Sequence, residues 1–317
     1  MPLELCSVSG FSKTEGNSVA IKVDDEVVVL DMGLSMADYV KFTEDLEDIK
    51  AKTYKSLLNA NAVPNYESIN DWRDKVIAII PSHGHLDHVG AIPFAASQFP
   101  SSAVIIGTPY TIEVLKGTLV DERLELPHKL MAMGSGSSYK LSKKITVEFV
   151  HITHSIPQTA IIVIHTPYGK VMYANDFKLD NDPVLGKKPD YDRLQGLGKE
   201  GVKLLIMNCL YAHEHKKCPS ESVARQMLKD TMLSVSSQKK ALIVTTFSSH
   251  LARLKSIIEL GRKLNRKIIF LGRSLDKYVR AGEQIGIIDF TKEITIFKHR
   301  DQIEKIMKRM HKDGKDK

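Results

Sequence analysis

The chain has 317 residues, 43% hydrophobic and 26% charged, and a formal net charge of +7 at pH 7. That much apolar material supplies the core of one large domain or two ordinary ones and excludes a disordered chain. Its longest apolar runs, such as Val76–Ile80 and Ala160–Ile164, are too short to cross a bilayer, so no membrane partner is expected.

No basic cluster leading into an apolar stretch opens the chain, so no secretory leader is expected. Cys6, Cys209 and Cys218 form no C-x-x-C pair, which argues against a disulfide framework and for a reducing cytoplasm. The surplus of Lys and Arg favours an anionic partner. Along the chain, Val19–Val23 and Val27–Leu30 read as strands flanking a D-D-E turn. Helical spacing of Tyr39, Phe42, Leu46 and Ile49 predicts a helix within Ala37–Leu58. Val76–Ile80 is a β-branched strand ending at Pro81, and Asp87–Gln98 reads as a helix with Asp87 in its first turn. Val104–Gly107 and Ile145–Val150 are further strands, and Ile161–His165 with Lys170–Tyr173 forms a hairpin around T-P-Y-G.

Asn181–Gly201, rich in Gly, Pro, Asp and Lys, reads as a surface connection. A βα rhythm follows: strand Val202–Met207, helix Glu221–Leu233, strand Ala241–Thr245, helix Leu251–Leu264 and strand Ile268–Leu271. A basic amphipathic helix near Asp301–Met310, expected to be a solvated face, comes last. The domains are therefore expected at 1–202 and 203–317.

The most informative stretch is I-I-P-S-H-G-H-L-D-H-V-G. His83 and His85 lie two apart in a loop after a strand, so both imidazoles can face one way. Asp87 and His88 open the next helix, where a second cation can sit beside the first. Mixed imidazole and carboxylate donors suit divalent ions. His154 in T-H-S-I-P and Asp176 in A-N-D-F-K-L-D each follow a strand and complete the candidate set. Asp31, ending the strand V-V-V-L-D, is placed to accept a hydrogen bond from a ligand imidazole or to cap the next segment.

H-G-H-L-D-H is the signature of the metallo-β-lactamase superfamily, and H-S-I-P with D-F-K-L-D resembles ribonuclease J, its archaeal members above all. T-T-F-S-S-H-L-A-R-L and F-L-G-R-S-L resemble the β-CASP insert of that family. The resemblance implies an α/β fold: an αββα sandwich followed by a partial β-CASP domain. It also implies a first metal on His83, His85 and His154, a second on Asp87 and His88, and Asp176 bridging them. The expected cofactor is two divalent ions, zinc or alternatively manganese. The implied reaction is RNA hydrolysis with a 5′-to-3′ exonuclease preference and some endonuclease action. Asp87 is the expected catalytic residue, steering the hydroxide that paired metals generate near neutral pH.

Phe247 and Ser248, between a strand and a helix, are candidates for a base stack and a phosphate contact, or equally for a core residue and a helix cap. Arg273 in G-R-S-L is a further candidate phosphate contact. His213 and His215 read as a solvated loop, and His151 and His165 as strand histidines. Asn208 stands where the family has an acid, and it cannot ionise. The family's return segment, whose histidines bind the second metal and protonate the leaving oxygen, has no counterpart after His250, where only His299 and His311 remain. The chain is thus expected to be an N-terminal portion or a shortened member. Members of the family often form homodimers. Two other readings stay open: a non-catalytic RNA-binding or partner subunit that keeps the metal site, and another hydrolase of the superfamily.

Overall fold

In the computed structural model, which describes residues 2–12, 14–44, 51–234 and 240–312, the chain divides into two units. The first comprises Met1–Ile152, Gln158–Phe177 and Asp190–His215, and the second comprises Thr153–Pro157, Lys178–Pro189 and Lys216–Lys317.

The first unit opens with strands β1 (Leu3–Ser9), β2 (Ser18–Val23) and β3 (Glu26–Leu30), then helices α1 (Met36–Glu44) and α2 (Tyr54–Asn59). Next come β4 (Val76–Ile80), two short helices, α3 (Leu86–Val89) and α4 (Ile92–Ala95), and then β5 (Val104–Gly107) and α5 (Pro109–Glu122). Strands β6 (Leu130–Ala132), β7 (Ser138–Lys140), β8 (Thr146–His151), β9 (Ala160–Thr166) and β10 (Gly169–Ala174) follow, with α6 (Tyr191–Glu200) and β11 (Leu204–Met207) closing the unit. Two sheets result, one ordered β1-β2-β3-β4-β5-β6 and the other β11-β10-β9-β8-β7.

Alternation along these strands sends side chains to opposite faces, which makes four layers. Ala20, Val29, Ile79 and Ile105 face outward from the first sheet and pack under Leu57, Ile92, Phe94 and Leu115 of the helices. Ile21, Val28, Leu30 and Ile80 face inward against Phe149, Ile162, Val171 and Tyr173 of the second sheet. Val150, Ile161, Val163 and Ala174 on the far side of that sheet are covered by Leu194 and Leu197 of α6. This is the expected α/β fold with an αββα sandwich.

In the second unit, helices α7 (Glu221–Ser234), α8 (Leu251–Lys263), α9 (Arg273–Gln284) and α10 (Arg300–Lys312) accompany a parallel pair, β12 (Ile269–Leu271) and β13 (Thr295–Phe297). Buried Asp180 accepts from the Glu221 backbone N–H at 2.8 Å and the Ser220 hydroxyl at 2.5 Å, satisfying donors at the start of α7. Glu221 in turn pairs with both Nε and Nη2 of Arg253 on α8, at 2.5 and 2.9 Å.

Several expectations are corrected. The single helix over Asp87–Gln98 is instead α3, α4 and a 3-10 turn at Ala96–Gln98. Pro93 supplies no N–H, and the Ala91 N–H bonds to Met32 O at 2.9 Å rather than to its own helix. Asn181–Gly201 is not wholly a connection: Asp190 caps α6 through Arg193 N at 3.1 Å, and Leu197 is buried. Two glycines within the helix, Gly196 and Gly198, had disguised it. The strand read at Val202–Met207 is β11, which pairs with β10 in the first unit, past the boundary expected at 202. Ala241–Thr245 forms no strand, since the second unit's sheet contains only β12 and β13 among the described residues, and Ile243 is 83% exposed. The expected helix positions Leu46 and Ile49 lie outside the described residues.

Candidate metal centre

Two parallel pairings bring the candidate residues to one edge. Leu30 of β3 and Ile80 of β4 are partners in register, so Asp31 and the Ser82–His85 loop leave the first sheet side by side. The Asp31 N–H donates to Ile80 O at 3.1 Å, and the Ala160 N–H donates to Ser82 O at 3.0 Å, tying that loop to the start of β9. In the second sheet Ala174 of β10 partners Met207 of β11, so Asn175, Asp176 and Asn208 emerge together.

At this edge one donor atom each of His83, His85 and Asp176 lies within 4.8 Å of the others, as do those of Asp87, His88 and Asp176. His83 Nε2 and His85 Nδ1 stand 3.0 Å apart, so two ring nitrogens converge on one point. His88 Nε2 lies 3.4 Å from Asp87 Oδ2 and 3.5 Å from Asp176 Oδ2. Asp176 is common to both groups. Imidazole nitrogens and carboxylate oxygens gathered this closely fit divalent cations, and the donor set is compatible with a metal site.

A buried carboxylate orients the imidazoles. Asp31 is 0% exposed, with a left-handed φ of 56°. Its Oδ1 accepts from the Ser82 N–H at 2.6 Å. Its Oδ2 accepts from His88 Nδ1 at 2.7 Å, the Tyr173 hydroxyl at 2.8 Å and the Ser82 hydroxyl at 3.0 Å. Ser82 Oγ also lies 2.9 Å from His83 Nδ1. With that hydroxyl donating to Asp31, His83 donates through Nδ1 and presents Nε2 as a lone pair. One carboxylate therefore directs His88 itself and His83 through Ser82.

Charges follow the same geometry. Burial disfavours an imidazolium at His88, but Asp31, Asp87 and Asp176 more than offset this and hold its pKa well above the ordinary value. Burial would raise Asp87, yet His88 and His85 hold it below its ordinary value. Burial and the facing Asp31 push the Tyr173 hydroxyl well up, so it remains a donor.

Sequence reasoning missed Asn17, Ser82, Tyr173 and Asn175. Asn17 Nδ2 lies 3.3 Å from both Asp87 O and His88 Nε2, and Asn175 Nδ2 donates to the Tyr173 hydroxyl at 2.7 Å. Only Ser82 and Asn175, each adjoining a motif residue, carried a sequence signal. His154 stands in Thr153–Pro157, five residues that group with the second unit and rejoin the first at Gln158. Phe247 is 80% exposed, which rules out the core alternative. Ser248 is half-buried, and the residue capping α8 is His250 rather than Ser248. Arg273 is the exposed first residue of α9. His213 and His215 are exposed, His151 ends β8 half-buried, and His165 on β9 pairs with Glu148 at 2.7 Å. No helix among the described residues is long and apolar enough to cross a membrane.

Comparison with known proteins follows the same lines. Residues 239–310 match the family model described as the β-CASP domain of ribonuclease J. The chain is 39% identical to ribonuclease J of Methanocaldococcus jannaschii over 318 aligned residues, covering 100% of this chain and 70% of the relative. It is 41% identical to ribonuclease J of Pyrococcus abyssi over 307, covering 96% and 67%. With ribonuclease J 1 of Streptococcus pyogenes the identity is 31%, over 90% of this chain and 47% of the relative. A crystal structure of a protein of unknown function from Enterococcus faecalis matches 94% of this chain and 70% of its own with a TM-score of 0.63 and 16% identity, a likeness of fold.

Proposed function

The chain belongs to the ribonuclease J family, and from that premise we propose that it is a metal-dependent ribonuclease acting on RNA phosphodiester bonds, with 5′-to-3′ exonuclease preference. The observation that carries this is the five-residue cluster of His83, His85, Asp87, His88 and Asp176 around imidazoles directed by buried Asp31.

His83 and His85 would hold one ion, Asp87 and His88 a second, and Asp176 both; zinc suits this donor set best, with manganese the alternative. His154 would join the first. Supporting this, β8 and β10 are both antiparallel to β9, so β8 ends at the edge where Asp176 emerges. When bound, paired ions supply Lewis acidity toward phosphoryl oxygens and ease deprotonation of water. Asp87, held ionised below its ordinary pKa, is suited to accept a hydrogen bond from the attacking water and orient it. Asp31 and Tyr173 keep the imidazoles from turning. The +7 charge supports affinity for the RNA backbone, which should weaken as salt rises. Phe247 and Arg273, both exposed, and half-buried Ser248 are proposed RNA contacts. Three unpaired cysteines suit a reducing cytoplasm. A homodimer is the proposed assembly.

Metal analysis with digestion of 5′-monophosphorylated RNA tests the reading. The wild type should cleave, and Asp87→Ala should bind RNA without cleaving it. Asn208 in place of an acid favours a second reading, a metal-bearing RNA-binding subunit. RNA binding without cleavage by the wild type as well would establish that one instead.

A further inference from the structure

We propose that Asn208 is a positioning residue for the metal centre, anchoring one oxygen of the Asp176 carboxylate with an uncharged amide donor so that the other oxygen is presented to the ions. This deepens the metal-site reading above and rests on it.

The placement begins with backbone register. The ladder between β10 and β11 ends at the Ala174–Met207 pair, and the Asn208 N–H extends it by donating to Ala174 O at 3.1 Å. Asn208 is thereby fixed beside the turn that carries Asp176. Its side chain is oriented from the other side: the Leu210 N–H donates to Asn208 Oδ1 at 2.8 Å. A backbone N–H can only donate, so the atom it meets must be the amide oxygen. The amide nitrogen then faces Asp176, and Nδ2 donates to Oδ1 at 2.7 Å. Hydrogen bonds to an ionised acceptor are shorter and stronger than neutral ones, and this one has that length.

The consequence is a division of labour within one carboxylate. Asp176 Oδ1 is engaged by Asn208, while Oδ2 points toward His88 Nε2 at 3.5 Å, on the side where the second ion would lie. An acid at 208 would face Asp176 with like charge across the same gap, and would have to share a proton or a cation with it. The amide holds Asp176 with neither. It also leaves the site one negative charge poorer than an acid would.

Two variants isolate the donor. Asn208→Ala removes the amide. Asn208→Asp keeps an oxygen for the Leu210 N–H, hence the turn, and replaces the N–H facing Asp176 with a second acidic oxygen. Metal affinity and stoichiometry are measured by competition with a chromophoric chelator using Zn²⁺, and the ligand field by the visible spectrum of the Co²⁺-loaded protein. Apo melting temperature serves as the folding control. Asn208→Ala should keep the wild-type apo melting temperature to within about 2 °C, a surface-level effect. Its Zn²⁺ affinity should fall about 10- to 100-fold, the usual size of losses when a ligand's supporting partner is removed. The Co²⁺ spectra of both variants should depart from wild type. Wild-type Zn²⁺ affinity in Asn208→Ala, or a wild-type Co²⁺ spectrum in Asn208→Asp, overturns the proposal and leaves the metal centre standing. A wild-type protein that takes up no Zn²⁺ overturns both together.

Discussion

His88 Nδ1 and Asp31 Oδ2 stand 2.7 Å apart, and neither side chain reaches solvent. The contact fixes which ring nitrogen carries hydrogen toward the carboxylate in any protonation state, and so which one faces Asp87 and Asp176. An imidazole held this way would lose little freedom on binding an ion.

Asp31→Asn should therefore cost far more in metal binding than its size suggests. The amide can accept from one of the surrounding donors but cannot serve His88, Tyr173 and the Ser82 hydroxyl from a single charged oxygen. Zn²⁺ affinity by chelator competition should fall about 10- to 100-fold. Tyr173→Phe, which removes one donor and leaves the carboxylate, should lose less than Asp31→Asn. If Asp31→Asn binds as tightly as wild type, Asp31 does not orient the imidazoles.

Gly33 is the point where the Asp31–Ser35 loop crosses α3. A Cβ at this position would lie 1.6 Å from Asp87 O and 2.2 Å from Asp87 C, both backbone atoms that cannot swing aside. The crossing is stitched by Met32 N to His88 O at 2.8 Å and Leu34 N to Leu86 O at 2.9 Å. Gly33→Ala must push Asp87 away, costing about 2–3 kcal/mol as an overpacked core substitution does. Zn²⁺ uptake should fall with it. A urea midpoint and metal stoichiometry equal to wild type would refute the crossing as a constraint.

What could be read from sequence depended on how local the cause was. Val76–Ile80 and Val104–Gly107 coincide with β4 and β5 because β-branched runs between turn formers bury both faces. The cluster from His83 to His88 was legible because its residues share one loop and one helix turn. Asn17 and Tyr173 were not, since they meet the site across 71 and 142 residues of sequence through sheet pairing. The break at Gly90–Ala91 escaped notice for a related reason: the competing acceptor for Ala91 N–H is Met32 O, on a distant segment. Asn208 read only as the loss of an acid, and its gain as a donor depends on the β10–β11 register.

Glu221 makes the second unit sensitive to acid. Burial opposes its ionisation, but hydrogen bonds from Arg253 and His250 bring its pKa down to about 2 from 4.5. With the folded value depressed, the stabilisation is complete above the unfolded value and is lost as pH falls from about 4.5 toward 2. Glu221→Gln removes this dependence and breaks a largely buried pair with Arg253, whose side chain is 33% exposed. A loss of about 2–3 kcal/mol at pH 7 is expected, at or below the bottom of the range for a fully buried pair because Arg253 is a third exposed. Chemical denaturation of the full chain at pH 7 and pH 3.5 checks both, and the variant should lose less stability over that interval than wild type.

His128 offers the opposite case in the first unit, a histidine whose folded state resists the proton. It lies between α5 and β6 and is 4% exposed. Burial holds its pKa below 6.5, although the carbonyls of Phe99 and Pro100 pull the other way. The unfolded chain therefore binds a proton here at a higher pH than the folded one does, and stability falls as pH drops through the unfolded value near 6.5. His128→Leu removes the proton uptake and puts an apolar side chain in a buried position. The variant should match or exceed wild type at pH 7.5, and its advantage should be larger at pH 5.5. Urea midpoints of the two proteins at both pH values decide it: because every other histidine is shared, a difference that stays constant with pH would show that His128 is not the group taking up the proton.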